Sequence, residues 1–466
     1  MRRLFTIAGF GSRLACSALV LAVTACGLRD SSEIVVAKVG DRKISADEFA
    51  FTYELAPRSL TSQAPEQARR AVLQRLADII LLADEAERLG LADDQRLDRI
   101  LDFHMRQAAN RELYLRHVRQ AVTIDEVEER EAYRRLKTKL FVKHFEAPSY
   151  DEAQQLAGGP LQSEHVPVHP WIETVDLPGH GQVDQISWND IDATIEDILF
   201  ALSPGQFSEP LFFGNRYHVY QLVEKETEIM MRENDFLTHR ESLRGVIRKR
   251  SESLVSAAFI QDVMGPEQLI IKADALNRFT RFLWQNRPQN QRQEVQFITN
   301  EQIDNITDQN QEVPGLPMAE FRSGRLLVSD ILFMYKLNPQ KISYDSESIL
   351  RENLKNIIAM YVRDQVLSEQ ALAEGLHKQP GVVEEIRSQR EKLLADRLRR
   401  ELYLDLISAG TDSAQLTTNY LTVTNDLINN LRAETEIEIN LENLMAVNTT
   451  DDGLSRKIDF IAIRTQ

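Results

Sequence analysis

His165, His169 and His180 stand close together among Pro167, Pro170 and Pro178, and imidazoles are frequent ligands of transition metals. Their spacing matches no fixed ligand motif and no carboxylate falls in register with them, so the stretch reads as a solvated loop and no metal is expected. Gly158-Gly159-Pro160 lacks the Lys-Ser/Thr pair of a phosphate loop, and the chain has no Gly-X-Ser-X-Gly element. Nothing here supports a hydrolase, and no cofactor is expected. Two histidines are placed differently: His144 lies at the end of a stretch with strand character, Leu140 to Phe145, and His218 in another, Tyr217 to Val223. The cysteines are only Cys16 and Cys26.

Composition bounds the elements that must carry these residues. At 466 residues the chain is too long for one core, and 43% apolar residues suffice for several folded domains. The formal net charge of −16 makes nucleic acid a poor partner, because binding it rests on clustered Lys and Arg.

One stretch occurs twice. Phe51, Tyr53, Leu55 and Pro57 are spaced two apart, and Phe333, Tyr335, Leu337 and Pro339 repeat them. Leu82, Ala86, Gly90 and Leu91 answer to Leu367, Ala371, Gly375 and Leu376, and RELYL recurs at Arg111–Leu115 and Arg400–Leu404. Matches kept in one order over such a length indicate a duplicated module. In each copy an alternating run with a Gly turn predicts a short hairpin, and apolar residues at helical spacing predict helices that bury one face. In the first copy Ser45 is the expected cap of the helix after the hairpin, and Gly90 the expected left-handed residue ending a longer one.

The first 26 residues read as a targeting segment. Arg2, Arg3 and Arg13 form a positive start, Leu14 to Val23 is an apolar run too short to span a bilayer, and Val23-Thr24-Ala25-Cys26 follows. The pattern resembles the lipobox of bacterial lipoproteins, which implies lipidation of Cys26, a mature chain that starts there, and no internal disulfide. An ordinary signal peptide cleaved near Ala25 is the alternative. Gly27, rather than Asp, after the cysteine resembles lipoproteins sent to the outer membrane.

Between residues 137 and 226 the order strand, helix, helix, strand describes a small α+β domain, entered by a charged helix for which Thr123 and Glu126 fit a capping box. LKTKLFVKHFEAPSYDEAQQLA and ILFALSPGQFSEPLFFGNRYHVYQLVE resemble the first and last parts of a parvulin-type peptidyl-prolyl isomerase. The flanking modules resemble the chaperone domain of the SurA, PpiD and PrsA group of extracytoplasmic foldases. The expected fold is therefore mostly α with a small α+β insert. It comprises a lipoprotein signal at 1–26, a first SurA-like module at 27–136, a parvulin-like domain at 137–226, and the closing helix and strand of the first module at 227–283. A Gln- and Asn-rich linker at 284–317, with one helix over Thr299 to Ile306, and a second SurA-like module without an insert at 318–466, closed similarly by the helix and strand in LTTNYLTVTNDLINNLRAETEIEINLENL, complete it.

The resemblance carries roles onto individual positions. His144 and His218 stand where the family has two core histidines that shape the floor of its site, and a paired structural role explains them as well as a catalytic one. Ile191 and Ile195 fall where the family has the Met and Phe of its proline pocket, Phe200 matches the aromatic near the end of the pocket helix, and Trp188 lies in the loop before that helix. Asp176 is the candidate for the family's acidic or cysteine residue. Phe213, Asn215 and Arg216 replace small residues and glycine. Prolyl isomerisation needs stabilisation of a twisted amide rather than a nucleophile, and a pocket that merely docks the ring binds ground and twisted states alike. The expectation is a folded domain whose isomerase activity is weak or lost.

Two classes of function follow. In the first, the chain is a membrane-tethered chaperone or foldase on the periplasmic side of the envelope, anchored in the outer membrane by a lipid on Cys26 and binding unfolded exported polypeptides. In the second, it is an assembly or structural lipoprotein docking one envelope partner, such as a polysaccharide-export component. A homodimer is compatible with both. A wide apolar surface favours the first, and a compact patch rimmed by charge the second.

Overall fold

The computed structural model describes residues 34–157, 181–214, 216–230, 232–287, 296–309 and 312–449. The chain opens with a hairpin of β1 (Val35–Val39) and β2 (Arg42–Ser45), turned at Gly40, whose φ of +56° suits glycine. Helix α1 (Ala46–Glu54) starts at once because the Ser45 hydroxyl accepts the Glu48 N–H at 3.1 Å. After α2 (Arg58–Thr61), helix α3 (Pro65–Arg88) buries Leu73, Leu76, Ile80 and Ala83 and ends at Gly90, with φ +75°. There Leu91 N–H closes on the Ala86 carbonyl at 2.9 Å, as the sequence predicts.

Helices α4 (Gln95–His117) and α5 (Glu126–Leu136) follow, α5 being capped by Asp125 with Glu128 rather than by Thr123. That pair satisfies two helix-end donors at once and sets the start of the helix. The α+β part comprises β3 (Thr138–Ala147), α6 (Tyr150–Leu156), β4 (Val183–Ile186), α7 (Ala193–Ala201), β5 (Leu211–Phe213) and β6 (Arg216–Thr227). Its sheet has the order β4-β3-β6-β5, antiparallel throughout.

The long helix α8 (Glu233–Met264) leads to β7 (Ile270–Ile271), α9 (Ala273–Gln285) and α10 (Asn300–Gln309). A second hairpin of β8 (Pro317–Phe321) and β9 (Gly324–Leu327) then runs into α11 (Val328–Leu337), α12 (Glu347–Ala373) and α13 (Pro380–Ser408). The chain continues with α14 (Ser413–Glu434), β10 (Ile437–Ile439) and α15 (Leu441–Ala446). The fold is mostly α with a small α+β part, as expected. Among the described residues no helix is long and apolar enough to cross a membrane.

The described residues divide into two compact units, 34–92 with 391–449 and 93–390. The core of the first joins Val36, Val39, Ile44 and Phe49 to Leu73, Leu76 and Ile80 of α3 and to Leu444 of α15. The second holds the α+β part and a core of Leu276, Phe279 and Leu283 with Met318, Ile331, Tyr335, Leu354 and Ile358.

The closing strands differ from the sequence reading. The stretch with Ile270–Ile271, expected to close the first hairpin, pairs with β8 of the second. Conversely β10, expected to close the second hairpin, pairs with β1, Ala37 opposite Ile439 and Val39 opposite Ile437. Two copies of one module present equivalent edges, so side-chain pattern does not choose between them. Loop closure does not choose either, since its cost grows only with the logarithm of length and the exchange shortens one loop while lengthening the other.

The stretch read as a linker is also structural over much of its length. The expected helix is present as α10, but Ile298, Ile303, Ile306 and Val313 are all buried in the core of the second unit. Gln302 is held as well, donating to Tyr344 Oη at 3.1 Å and to the Asn286 carbonyl at 3.2 Å. The Gln and Asn content masked four apolar anchors.

Candidate functional site

Strands β3 and β6 pair over ten residues, and alternation sends Leu140, Val142 and His144 of β3 and His218, Tyr220 and Leu222 of β6 to one face. Helix α7 covers that face through Ile195 and Leu199, one helical turn apart, and Leu211 and Phe213 of β5 extend the same core. The other face is covered by α6, where Ala153 packs with Ala147 and Val219.

His144 and His218 meet in this layer, both almost wholly buried. His144 Nε2 lies 2.9 Å from His218 Nδ1, with ring planes 8° apart and centroids separated by 5.2 Å. The centroid separation exceeds the nitrogen separation by about two ring radii, so the rings meet head to head rather than face to face. His218 Nε2 is 3.1 Å from the Phe213 carbonyl, which can only accept, so this nitrogen carries the hydrogen. Burial pushes the His218 imidazole below its ordinary value, with His144 adding to the effect, so it is neutral at pH 7. Its Nδ1 therefore accepts, and His144 donates from Nε2. The two rings form one polarised chain of hydrogen bonds ending on the main chain.

Phe213 and Tyr220 enclose the pair. The Phe213 ring lies on His218 at 3.7 Å and 10°, and the Tyr220 ring lies on His144 at 4.9 Å and 27°. Tyr220 is fully buried, its hydroxyl has no hydrogen-bond partner among the described residues, and burial pushes its ionisation far up.

The structure gathers the expected pocket residues Ile191, Ile195, Phe200 and Phe213 on one apolar cluster. Ile195 is 1% exposed, spent on the core between α7 and the sheet, and Ile191 packs on the same cluster. Phe200 is partly buried against the same cluster, with Arg135 5.1 Å and Lys225 Nζ 5.5 Å from its ring centroid. Lys225 also donates to the Phe200 carbonyl at 2.8 Å. Asp176, Asn215, Cys26 and the histidines at 165, 169 and 180 lie outside the described residues.

Metal ligation is available only in principle. His144, Glu146 and His218 offer ligand atoms within 4.8 Å of one another. The facing imidazole nitrogens are already joined by a shared hydrogen, and the remaining nitrogen of His218 is spent on Phe213. This is the geometry of a proton-linked pair, and a metal would have to displace that hydrogen and part the rings.

Two buried acids anchor α8, one from this domain and one from α5. Glu196 on α7, with no exposure, receives Arg250 of α8 at 2.8 and 3.1 Å and the Asn189 N–H. Arg250 also lies over the Trp188 ring, 5.1 Å from its centroid. Glu129 on α5 accepts from Arg240 of α8 at 2.7 Å.

No protein-family model and no curated protein matches the chain. A solved structure described as belonging to the two structurally related SurA-like chaperones of Campylobacter jejuni, the virulence factor PEB4 and the periplasmic protein Cj1289, is similar over 51% of this chain and 100% of its own. The identity is 18% and the TM-score 0.23.

A second candidate surface lies in the first unit, and the duplicated-module reading gave no sign of it. Helices α13 and α14 form a hairpin turned at Gly410, whose φ is +76°, and no residue from Arg399 to Val423 is buried. Tyr403, Leu404, Ile407, Leu421 and Val423 are all exposed, and Tyr403 meets Tyr420 edge to face at 5.7 Å. No charged residue occurs between Ser413 and Asn425. Thr, Asn and Val are weak helix formers, so α14 has neither strong propensity nor much burial to hold it. Its fixed end is C-terminal, where Arg432 donates twice to Asp78, both at 2.8 Å.

Proposed function

We propose that this protein is an extracytoplasmic chaperone that binds unfolded exported polypeptides, tethered to the membrane through Cys26, on the periplasmic side and in the outer membrane. The observation that carries the chaperone reading is the α13–α14 arm, a helical hairpin with five exposed large apolar side chains and no buried residue from Arg399 to Val423. Several exposed large apolar side chains on one helical hairpin mark a place where chains are held. A run without charge from Ser413 to Asn425 accepts segments of either sign, which suits many clients rather than one.

The parvulin-like domain is proposed to contribute little isomerase activity. Phe213 and Tyr220 fill the space against the histidines, and Ile195 is committed to the core. Ring docking that does not favour the twisted amide accelerates nothing.

The test is suppression of aggregation of a chemically unfolded substrate by the full chain and by Tyr403→Gln/Leu404→Gln/Ile407→Gln/Leu421→Gln, beside a tetrapeptide proline-isomerisation assay. The expected result is protection by the parent, loss of it in the quadruple variant with unchanged circular dichroism, and isomerisation near the uncatalysed rate for both. Full protection by the quadruple variant overturns the reading. For the tether, Cys26→Ser is expected to leave an uncleaved or soluble species, and membrane retention equal to the parent's defeats that part.

A further inference from the structure

We infer that the open edge of β10 is a strand-addition site for an extended polypeptide with apolar residues at alternate positions and basic residues flanking them. The inference takes its occupant from the chaperone reading and its place from a different surface.

The ladder between β1 and β10 fixes which main-chain groups are free. Asn440 N–H donates to the Val36 carbonyl at 2.9 Å, Gly40 N–H donates to the Glu436 carbonyl at 2.9 Å, and Lys38 stands opposite Glu438. The even-numbered residues of β10 therefore turn their N–H and C=O groups toward β1. Ile437 and Ile439 turn theirs the other way, to an edge that meets no strand among the described residues, where the sheet order is β10-β1-β2. Such an edge is a template for another chain.

Side chains at this edge set what it accepts. Ile439, on the strand itself, is 45% exposed and gives an arriving strand an apolar contact, and the exposed Leu441 and Met445 follow on α15. Glu434 at the end of α14, Glu436 and Glu438 at β10 and Glu442 on α15 stand along the same short stretch; Glu438 is paired with Lys38 at 2.9 Å, Glu436 also acts on Lys38 and Glu434 acts on Arg88, so the stretch stays in acidic excess. Charges on an edge protect it, but selectively. Carboxylates repel a strand carrying acidic residues, including the same edge of a second copy in a chain of net charge −16. A strand flanked by Lys or Arg is attracted instead. Main-chain bonds would give affinity without regard to sequence, and the acidic rim a preference in sign.

The experiment uses the full chain and two fluorescent capped octapeptides of alternating Ile and Thr, one flanked by Lys and one by Glu. Binding is read by anisotropy and by amide exchange over residues 435–441. The Lys-flanked peptide is expected to bind, to slow exchange there by about tenfold or more, and to bind about tenfold more tightly than the Glu-flanked one at low salt. Ile439→Pro, which removes one outward N–H at an edge position that tolerates proline, is expected to abolish the slowing. Glu434→Gln/Glu436→Gln is expected to remove the preference in sign and leave the fold untouched. Equal binding of both peptides to the parent overturns the inference, as does binding that slows no exchange over 435–441. A Kd unchanged by Ile439→Pro also overturns it. The quadruple arm variant is expected to bind the Lys-flanked peptide as the parent does. If that variant keeps edge binding while still protecting unfolded substrate, the arm assignment fails and the edge stands. If it loses edge binding with its fold intact, the peptide was on the arm and the edge proposal fails.

Discussion

The Phe213 ring lies flat on His218, 3.7 Å between centroids and 10° from parallel, and the carbonyl of the same phenylalanine accepts the His218 Nε2 hydrogen at 3.1 Å. One residue thus covers the imidazole and fixes its tautomer. A small residue here would keep the carbonyl and lose the cover. Phe213→Ala is expected to destabilise the domain by about 3 kcal/mol, the low end for a buried phenylalanine. Urea denaturation followed through the domain's signal measures it, and a loss below about 1 kcal/mol would mean the ring is not packed as described.

The histidine pair makes stability depend on pH. Burial holds the His218 imidazole below its ordinary 6.5, so in the mild acid range the unfolded chain binds a proton that the folded chain does not. Its contribution is present in full above about 6.5 and is lost as pH falls toward the lower folded value. The melting temperature is expected to drop between pH 7.5 and 5.5, and to drop less in His218→Gln. His144→Ala leaves the His218 acceptor without its donor and is expected to cost about 1–3 kcal/mol at pH 7.5. Parallel pH profiles for parent and His218→Gln would remove His218 from this account.

Much of the local structure is legible in the sequence, and much of the long-range pairing is not. Ser45 and Gly90 act where their chemistry requires, because a cap or a positive φ is decided within a few residues. The hairpin-to-helix plan also recurs in both copies, although the repeated aromatics meet different surroundings. Tyr335 is buried, accepts the Ile298 N–H at 3.0 Å and donates to the Gln340 carbonyl at 2.5 Å. Tyr53 is only partly buried, with Arg69 over its ring at 5.7 Å. Phe51 is 45% exposed, whereas Phe333 lies under Arg99 at 4.2 Å. The meeting of His144 and His218 follows from strand alternation and the resemblance together. Tyr220 escaped because a tyrosine in an alternating strand reads as ordinary core, and its hydroxyl becomes informative only once its burial is known.

Arg250 is expected to matter more than its place on a long, largely exposed helix implies. It is the charged partner of the fully buried Glu196 and also covers Trp188. Arg250→Met leaves a carboxylate without its counter-ion and is expected to cost about 3–5 kcal/mol. Arg250→Met/Glu196→Gln is expected to recover part of that loss. Equal stability of the single and double variants in denaturant titration would show that the pair is not coupled.

The exchange of closing strands predicts how the chain behaves when cut. A protease site placed within residues 288–295 divides it between α9 and α10, leaving β1, β2 and β7 in one fragment and β8, β9 and β10 in the other. Because β1 pairs with β10 and β7 with β8, both closing ladders then join different fragments. The ion pair of Asp78 with Arg432 and the bond from Arg69 to the Leu444 carbonyl at 2.8 Å join them too. The nicked protein is therefore expected to elute as one species, to melt with loss of both fragments together, and to separate only in denaturant. Expressed alone, the N-terminal fragment is expected to keep a folded α+β domain but to show rapid amide exchange in β1. In the pairing that the sequence suggests, with Ile270–Ile271 closing the first hairpin and Ile437–Ile439 the second, each fragment would carry its own closing strand. Two fragments that separate without denaturant, each with a protected hairpin, would establish that pairing and discard the exchanged one.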